Sequence, residues 1–187
     1  MRKTLNYFLS LLVCSLFLNC SEPDDIYMGS KYLNVAKLIQ IETSPSYKVN
    51  DLIYINALFS KYLPEEGYSD LLDIYKTSKS KEYLFSFSLE KKSAYGTWIV
   101  VNFGDKIVVS KGKLYKSYDD LAVCELNPQN EKYEFRAGLP LLETGEFRLR
   151  VSNQLRPDYS SNSYITIYIN TTVDKIDEQG LYSFTVN

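Results

Sequence analysis

The chemistry open to this chain is narrowed first by what its side chains lack. It contains no histidine and only three cysteines, Cys14, Cys20 and Cys124. Without an imidazole there is no Ser-His-Asp triad, no Cys-His pair and no histidine-based zinc site. No GxxxxGK[ST] phosphate loop occurs anywhere in the sequence. Carboxylates remain, as Glu65-Glu66, Asp70 with Asp73, Asp119-Asp120, and Asp174 with Asp177-Glu178. Two carboxyl groups flanking a glycosidic bond can hydrolyse it, and clustered oxygens can take calcium. These acids fall in loop-like stretches where solvation explains them, and no EF-hand spacing is present. The chain therefore reads as non-catalytic, with no cofactor and no metal expected. A carboxylate-based glycoside hydrolase is the remaining enzyme alternative.

Aromatics offer a different chemistry, recognition without turnover. The chain has 17 tyrosines, and a tyrosine presents an apolar body with a wet hydroxyl. Tyr62 and Tyr68 flank the turn-rich Leu63-Pro64-Glu65-Glu66-Gly67. Tyr115 and Tyr118 lie near Lys113 and Lys116, and Tyr159 sits in RPDYSSNSY. Exposed on loops, these five would stack on a sugar ring or anchor a protein partner. Tyr54, Tyr83, Tyr133, Tyr168 and Trp98 sit in alternating or apolar runs and are expected in the core. The formal net charge is −2, and with no basic stripe a nucleic-acid partner is not expected.

The N-terminus carries an address. Met1-Arg2-Lys3 is basic, and Leu5 to Leu18 is an uncharged apolar run. That run is shorter than the roughly 20 residues of a spanning helix, so it reads as a secretory signal and not as part of the fold. Phe17-Leu18-Asn19 lacks the small residues of an ordinary cleavage site. Asn19-Cys20-Ser21 resembles instead the lipobox of bacterial lipoproteins, departing from it at Phe17 and Asn19. The resemblance implies that Cys20 takes a diacylglycerol on its sulfur and becomes the mature N-terminus. Glu22, Asp24 and Asp25 follow at once and resemble the surface-export signal of Bacteroidota lipoproteins. A solvated tether is the plainer reading of the same residues. With Cys14 in the signal and Cys20 acylated, Cys124 is left alone in the apolar run LAVCEL and reads as a buried, inert thiol.

The elements that would position these groups are strands. Tyr83, Phe85, Phe87 and Leu89 alternate with Leu84, Ser86, Ser88 and Glu90, a period of two. Similar runs occur near 47–59, 97–103, 105–110, 121–126, 131–139, 145–153, 163–173 and 180–187. Roughly nine strands separated by turn signals read as an antiparallel sandwich or barrel. LLDIYKTSK (71–79) is left open between a strand and one helical turn. Glu143 to Val151 and Glu178 to Val186 share the pattern acid-x-Gly-x-aromatic-x-apolar-x-Val. A glycine before an aromatic-led strand predicts a turn with positive φ. The acid-x-Gly-x-Tyr order of the second copy resembles the tyrosine corner of immunoglobulin-like domains, where the hydroxyl bonds back to the main chain. The first copy carries Phe147 and cannot make that bond. An ancient repeat and two independent turns of similar chemistry both remain open.

Together these readings resemble surface lipoproteins of the Bacteroidota. The expected organisation is a signal peptide over 1–19, a lipidated N-terminus and tether over 20–34, and an all-β domain over 35–187. That domain is expected to be a single immunoglobulin-like antiparallel sandwich. The expected role is a non-catalytic lipoprotein of the outer membrane, facing the cell surface, with the periplasmic face as the alternative. Its partners would be the bilayer, through acylated Cys20, and a glycan or protein. A structural subunit of an outer-membrane assembly is the second reading.

Overall fold

The computed structural model describes residues 29–115, 118–158 and 164–187. The expected signal peptide, Cys20, Glu22, Asp24, Asp25 and Tyr159 lie outside the described residues.

The described chain is mostly strand, as the period-two pattern predicts. It runs β1 (Gly29–Asn34), β2 (Ile39–Glu42), β3 (Leu52–Ser60), β4 (Tyr62–Leu63), β5 (Leu72–Asp73), then helix α1 (Ile74–Ser78). There follow β6 (Glu82–Lys92), β7 (Trp98–Val100), a 3-10 turn at Gly104–Lys106, β8 (Val108–Lys111) and β9 (Lys113–Tyr115). The chain continues through β10 (Tyr118–Asn127), β11 (Lys132–Pro140), β12 (Gly145–Val151), β13 (Gln154–Pro157), β14 (Ile165–Asn170) and β15 (Leu181–Val186). The stretch left open at 71–79 resolves into both readings, β5 and then α1. Asp73 caps that helix by accepting the Lys76 N–H at 2.8 Å, and Lys79 ends it at φ +54°.

Pairing follows one path, β1-β14-β13-β6-β10-β11-β3-β2, from which β7, β8, β9, β12 and β15 branch; β4 and β5 pair separately. The large sheet curls until its ends meet. Ile39 of β2 bridges Val173, just past β14, and Val186 of β15 bridges Tyr47. Inward residues seal the curl. Ile53, Ile55, Ala57 and Phe59 of β3, and Tyr83, Phe85, Phe87 and Leu89 of β6, are buried, because successive side chains of a strand face opposite ways. Phe59, Tyr83 and Tyr133 pack as a trio with ring centroids 5.0–6.0 Å apart. The Tyr133 hydroxyl donates to the Ser80 carbonyl at 2.7 Å, so the ring is buried without orphaning its polar end.

β10 and β11 pair directly only over 125–127 and 132–134. Beyond that they part, and the β8–β9 stretch enters between them, β8 on β11 and β9 on β10. Gly112 stands at the fork with φ +64°, and a Cβ there would lie 2.3 Å from the Val123 oxygen and 2.8 Å from the Glu134 oxygen. Only glycine fits both the conformation and the space.

Three expectations are corrected. Gly29–Asn34, assigned to the tether, is strand β1, paired in parallel with β14 from Gly29↔Ile165 to Asn34↔Asn170. Its sequence hid it, because only Leu33 of GSKYLN is fully buried. Tyr54, Tyr168 and Trp98, expected in the core, are half-buried, whereas Tyr83 and Tyr133 are buried as expected. The corner at Tyr182 also differs. Gly145 and Gly180 do have positive φ, +134° and +76°, and their strands β12 and β15 pair with Phe147 opposite Phe184. Yet the Tyr182 side chain faces that of Tyr47, and it is the Tyr47 hydroxyl that accepts a main-chain N–H, from Ser44 at 2.9 Å.

Candidate binding surface

Two of the tyrosines singled out from sequence are exposed but already occupied by cations. Tyr62 lies in β4 opposite Asp73, with Lys61 Nζ 4.8 Å from its ring centroid. Lys61 is held by Glu131 at 2.7 Å and Asp73 at 3.7 Å. Tyr68 is 70% exposed, with Lys31 Nζ 5.9 Å away. Tyr115 pairs in register with Tyr118 across β9 and β10; the Tyr118 side chain lies outside the description.

Several of the clustered acids have structural tasks, while the side chains of Asp119 and Asp120 lie outside the description. Glu65 pairs with Lys31 at 2.5 Å and Asp174 with Lys37 at 3.4 Å. Asp177 Oδ1 accepts the N–H groups of Gln179 and Leu181 at 2.8 and 2.9 Å. Among the described residues no group of three or more His, Cys, Asp or Glu side chains is placed to hold a metal. Cys124 is fully buried, and that burial pushes its thiol pKa well up, away from the thiolate a nucleophile needs.

The surface that the sequence did not announce is the β6–β7 hairpin. Its turn, Ser93-Ala94-Tyr95-Gly96-Thr97, closes through a Ser93 N–H to Thr97 carbonyl bond of 2.7 Å. Gly96 takes φ +80° there, and Tyr95 stands at the tip, 95% exposed. β7 pairs with β6 and with no other described strand, so its outer row of backbone groups is open. Ile99 and Val100 are 57% and 62% exposed along it. Beside them lies an open groove of about 430 Å³, lined among others by Val101, Pro140, Leu142 and Phe147. The rim is charged and self-paired, Lys91 with Glu143 and Lys92 with Glu146. Sequence patterning misses this surface because TWIVVNF has consecutive apolar residues and no alternation. Whether such a run is buried depends on a neighbouring strand, and β7 has one on one side only.

The large ring face near this edge is covered. Arg148 lies 4.5 Å over Trp98 and is paired with Glu90. The same device recurs between β11 and β3, where Arg136 lies 3.9 Å over Tyr54 and is bidentate to Glu42, both bonds 2.8 Å. The Arg136 hydrogen bond holds the Glu42 carboxyl below its ordinary pKa. A second cleft, about 480 Å³, lies between the β12–β13 junction and the 176–180 loop, with mixed walls that include Ser86, Phe87, Arg150, Asn153 and Ile176.

No protein-family model matches the chain, and no curated protein matches it. Among solved structures the chain is similar to AggA of Escherichia coli, the major subunit of aggregative adherence fimbriae type I, at 13% identity and a TM-score of 0.29. That alignment covers 74% of this chain and 99% of the fimbrial subunit. At so low a score the likeness carries no argument.

Proposed function

We propose that this protein is a non-catalytic binding protein that takes a protein partner along the β6–β7 edge. The observation that carries the reading is the exposure of Ile99 and Val100 on a strand with an open edge, beside an apolar groove. An extended segment adding to such an edge gains main-chain hydrogen bonds, and alternate side chains drop into the groove. The self-paired charges of the rim fit the polar border of an interface around an apolar centre. A protein suits this edge better than a glycan, because the apolar part of the groove is mainly aliphatic, from Ile99, Val100, Val101, Pro140 and Leu142, and the Trp98 ring is covered by Arg148.

The reading includes an address. Acylation of Cys20, with Glu22, Asp24 and Asp25 directing export, would hold the domain at the outer-membrane surface. Among the described residues no helix is long and apolar enough to cross a membrane. An immunoglobulin-like sandwich is the architecture we assign to the curled sheet, supported by the two rows of inward side chains on β3 and β6.

A photo-crosslinking residue at Ile99, introduced in the full chain on intact cells, tests the binding reading. A discrete protein adduct is expected from Ile99 and not from Lys132, and Val100→Asp should abolish it. Equal labelling at both positions, or an adduct indifferent to Val100→Asp, overturns the proposal. Protease shaving of the same cells tests the address. Wild type should be cleaved, and the form with Glu22, Asp24 and Asp25 changed to Ala protected. Protection of both forms would put the domain on the periplasmic side.

A further inference from the structure

The exposed face of β1 and β14, turned away from Lys31 and its partners, carries a row of uncharged side chains. Parallel register sets like against like: Ser30 opposite Thr166, Tyr32 opposite Tyr168, Asn34 opposite Asn170. Tyr32 and Tyr168 stack, centroids 5.1 Å apart and planes at 15°. β1 pairs with β14 alone among the described strands, so the second face of the Tyr32 ring is turned to the open edge, and the residue is 60% exposed. Two positions along the same face, an amide relay ends. Gln154 Nε2 donates to Asn170 Oδ1 at 3.0 Å, and Asn170 Nδ2 donates to Asn34 Oδ1 at 3.0 Å. The relay fixes which way each amide points. Among the described residues Asn34 is the last member, exposed, with its oxygen occupied and its NH₂ unpartnered.

An aromatic face and an oriented amide donor on the same side of one edge strand suit one ligand class. The geometry points to a subsite for a neutral sugar at the β1 edge. The C–H face of a pyranose packs on the negative ring face of Tyr32, and a ring hydroxyl accepts from Asn34 Nδ2. Few, well-placed polar groups around an apolar platform are what fix a small ligand's orientation. Charge argues for neutrality. All six outward side chains of β1 and β14 are uncharged, and the next charge across the row, Arg156, sits on β13, two strands in from the edge. Among the described residues a carboxylated or sulfated sugar would find no cation stacked at the Tyr32 ring. This subsite is separate from the β7 edge and does not depend on a protein partner there.

Affinity electrophoresis of the full chain in non-ionic detergent tests it, in gels carrying mixed-linkage β-glucan, α-mannan, galactan or polygalacturonate. At least one neutral polymer should retard wild type, and polygalacturonate should not. Tyr32→Ala is expected to weaken retardation more than tenfold in apparent affinity, and Asn34→Ala about fivefold. Tyr32→Phe should stay within about twofold, since the ring does the stacking. Both side chains are on an exposed edge, so unchanged melting of each variant separates lost binding from lost fold. Retardation by no neutral polymer overturns the proposal. So does retardation that survives Tyr32→Ala, or retardation by polygalacturonate alone. None of these outcomes touches the crosslinking result at Ile99.

Discussion

Strand β6 lives in two environments, and the contrast between its ends explains much of the molecule. Its first half is paired on both sides, Glu82 to Ser86 with β10 and Tyr83 and Leu84 with β13. There Tyr83, Leu84 and Phe85 are at most 4% exposed. Its last residues, Glu90 to Lys92, lie between β12 and the three-residue β7, and β7 leaves Ile99 and Val100 in water. Apolar residues occur at both ends. Burial is decided by whether another strand covers them, because the apolar gain scales with area removed from water. One end is sealed by the fork at Gly112 and the buried tyrosines, and the other is left with a strand edge unused.

The largest effect should come from breaking the sealed end at its tightest point. Gly112→Ala puts a Cβ against two backbone oxygens at 2.3 and 2.8 Å, which neither strand can yield without opening the fork. A loss of at least about 3 kcal/mol is expected from overpacking and strained φ together. At the open end Gly96 has φ +80° and nothing within 4 Å of its Cβ position. Gly96→Ala should cost only about 1 kcal/mol, the left-handed strain alone. Urea midpoints of the two variants measure the contrast directly. Equal losses would mean the fork is not the constraint described.

Next in size is the buried polar network beneath the same end. Tyr133→Phe removes the donor to Ser80 and leaves that carbonyl buried without it, a loss of about 1–2 kcal/mol. Tyr83→Phe should cost less, because its hydroxyl meets Ser78 only at 3.5 Å. The same rings give the sealed end a pH signature. Burial, offset by the Ser78 bond, pushes the Tyr83 pKa up to about 12, against about 10 in an unfolded chain. The folded form thus holds the proton more tightly. Its contribution is complete below about pH 10 and is lost as pH rises towards about 12. Denaturant midpoints should fall across that window in wild type and fall less steeply in Tyr83→Phe. Identical slopes would remove Tyr83 from the account.

How much of this is legible in the sequence follows the same divide. The rows Ile53–Phe59 and Tyr83–Leu89 declare themselves by alternation, since both neighbours of each strand are present and one face is wholly inside. Cys124 is legible as inert for the same reason. β1 is not, because Lys31 and Gly29 take inward positions where a pattern search wants apolar residues. Tyr54 and Trp98 read as core residues, yet an arginine covers each half-buried ring on the outer face, Arg136 from the adjoining β11 and Arg148 from β12 across β6. Tyr32, Asn34 and the Ile99–Val100 edge give no local signal at all. The first two draw their significance from pairing partners more than 100 residues away, and the edge from a partner strand that β7 does not have.

The smallest predicted effect bears most on function. Ile99→Thr and Val100→Thr, alone or together, should shift stability by no more than about 0.5 kcal/mol, the range of ordinary surface substitutions. The reason is that more than half of each side chain is already in water, so little buried area is lost. A truncation inside the curl, Ile55→Val, removes a methylene from a site with no exposure and should cost about 1 kcal/mol. Thermal unfolding of these four variants ranks them. If the β7 substitutions cost as much as the Ile55 change, then Ile99 and Val100 are packing residues and the edge is simply an under-covered part of the core. If they cost nothing while the crosslink from the β7 edge disappears, the two side chains serve no purpose in the isolated fold. Their apolar surface is then accounted for only by what docks against it.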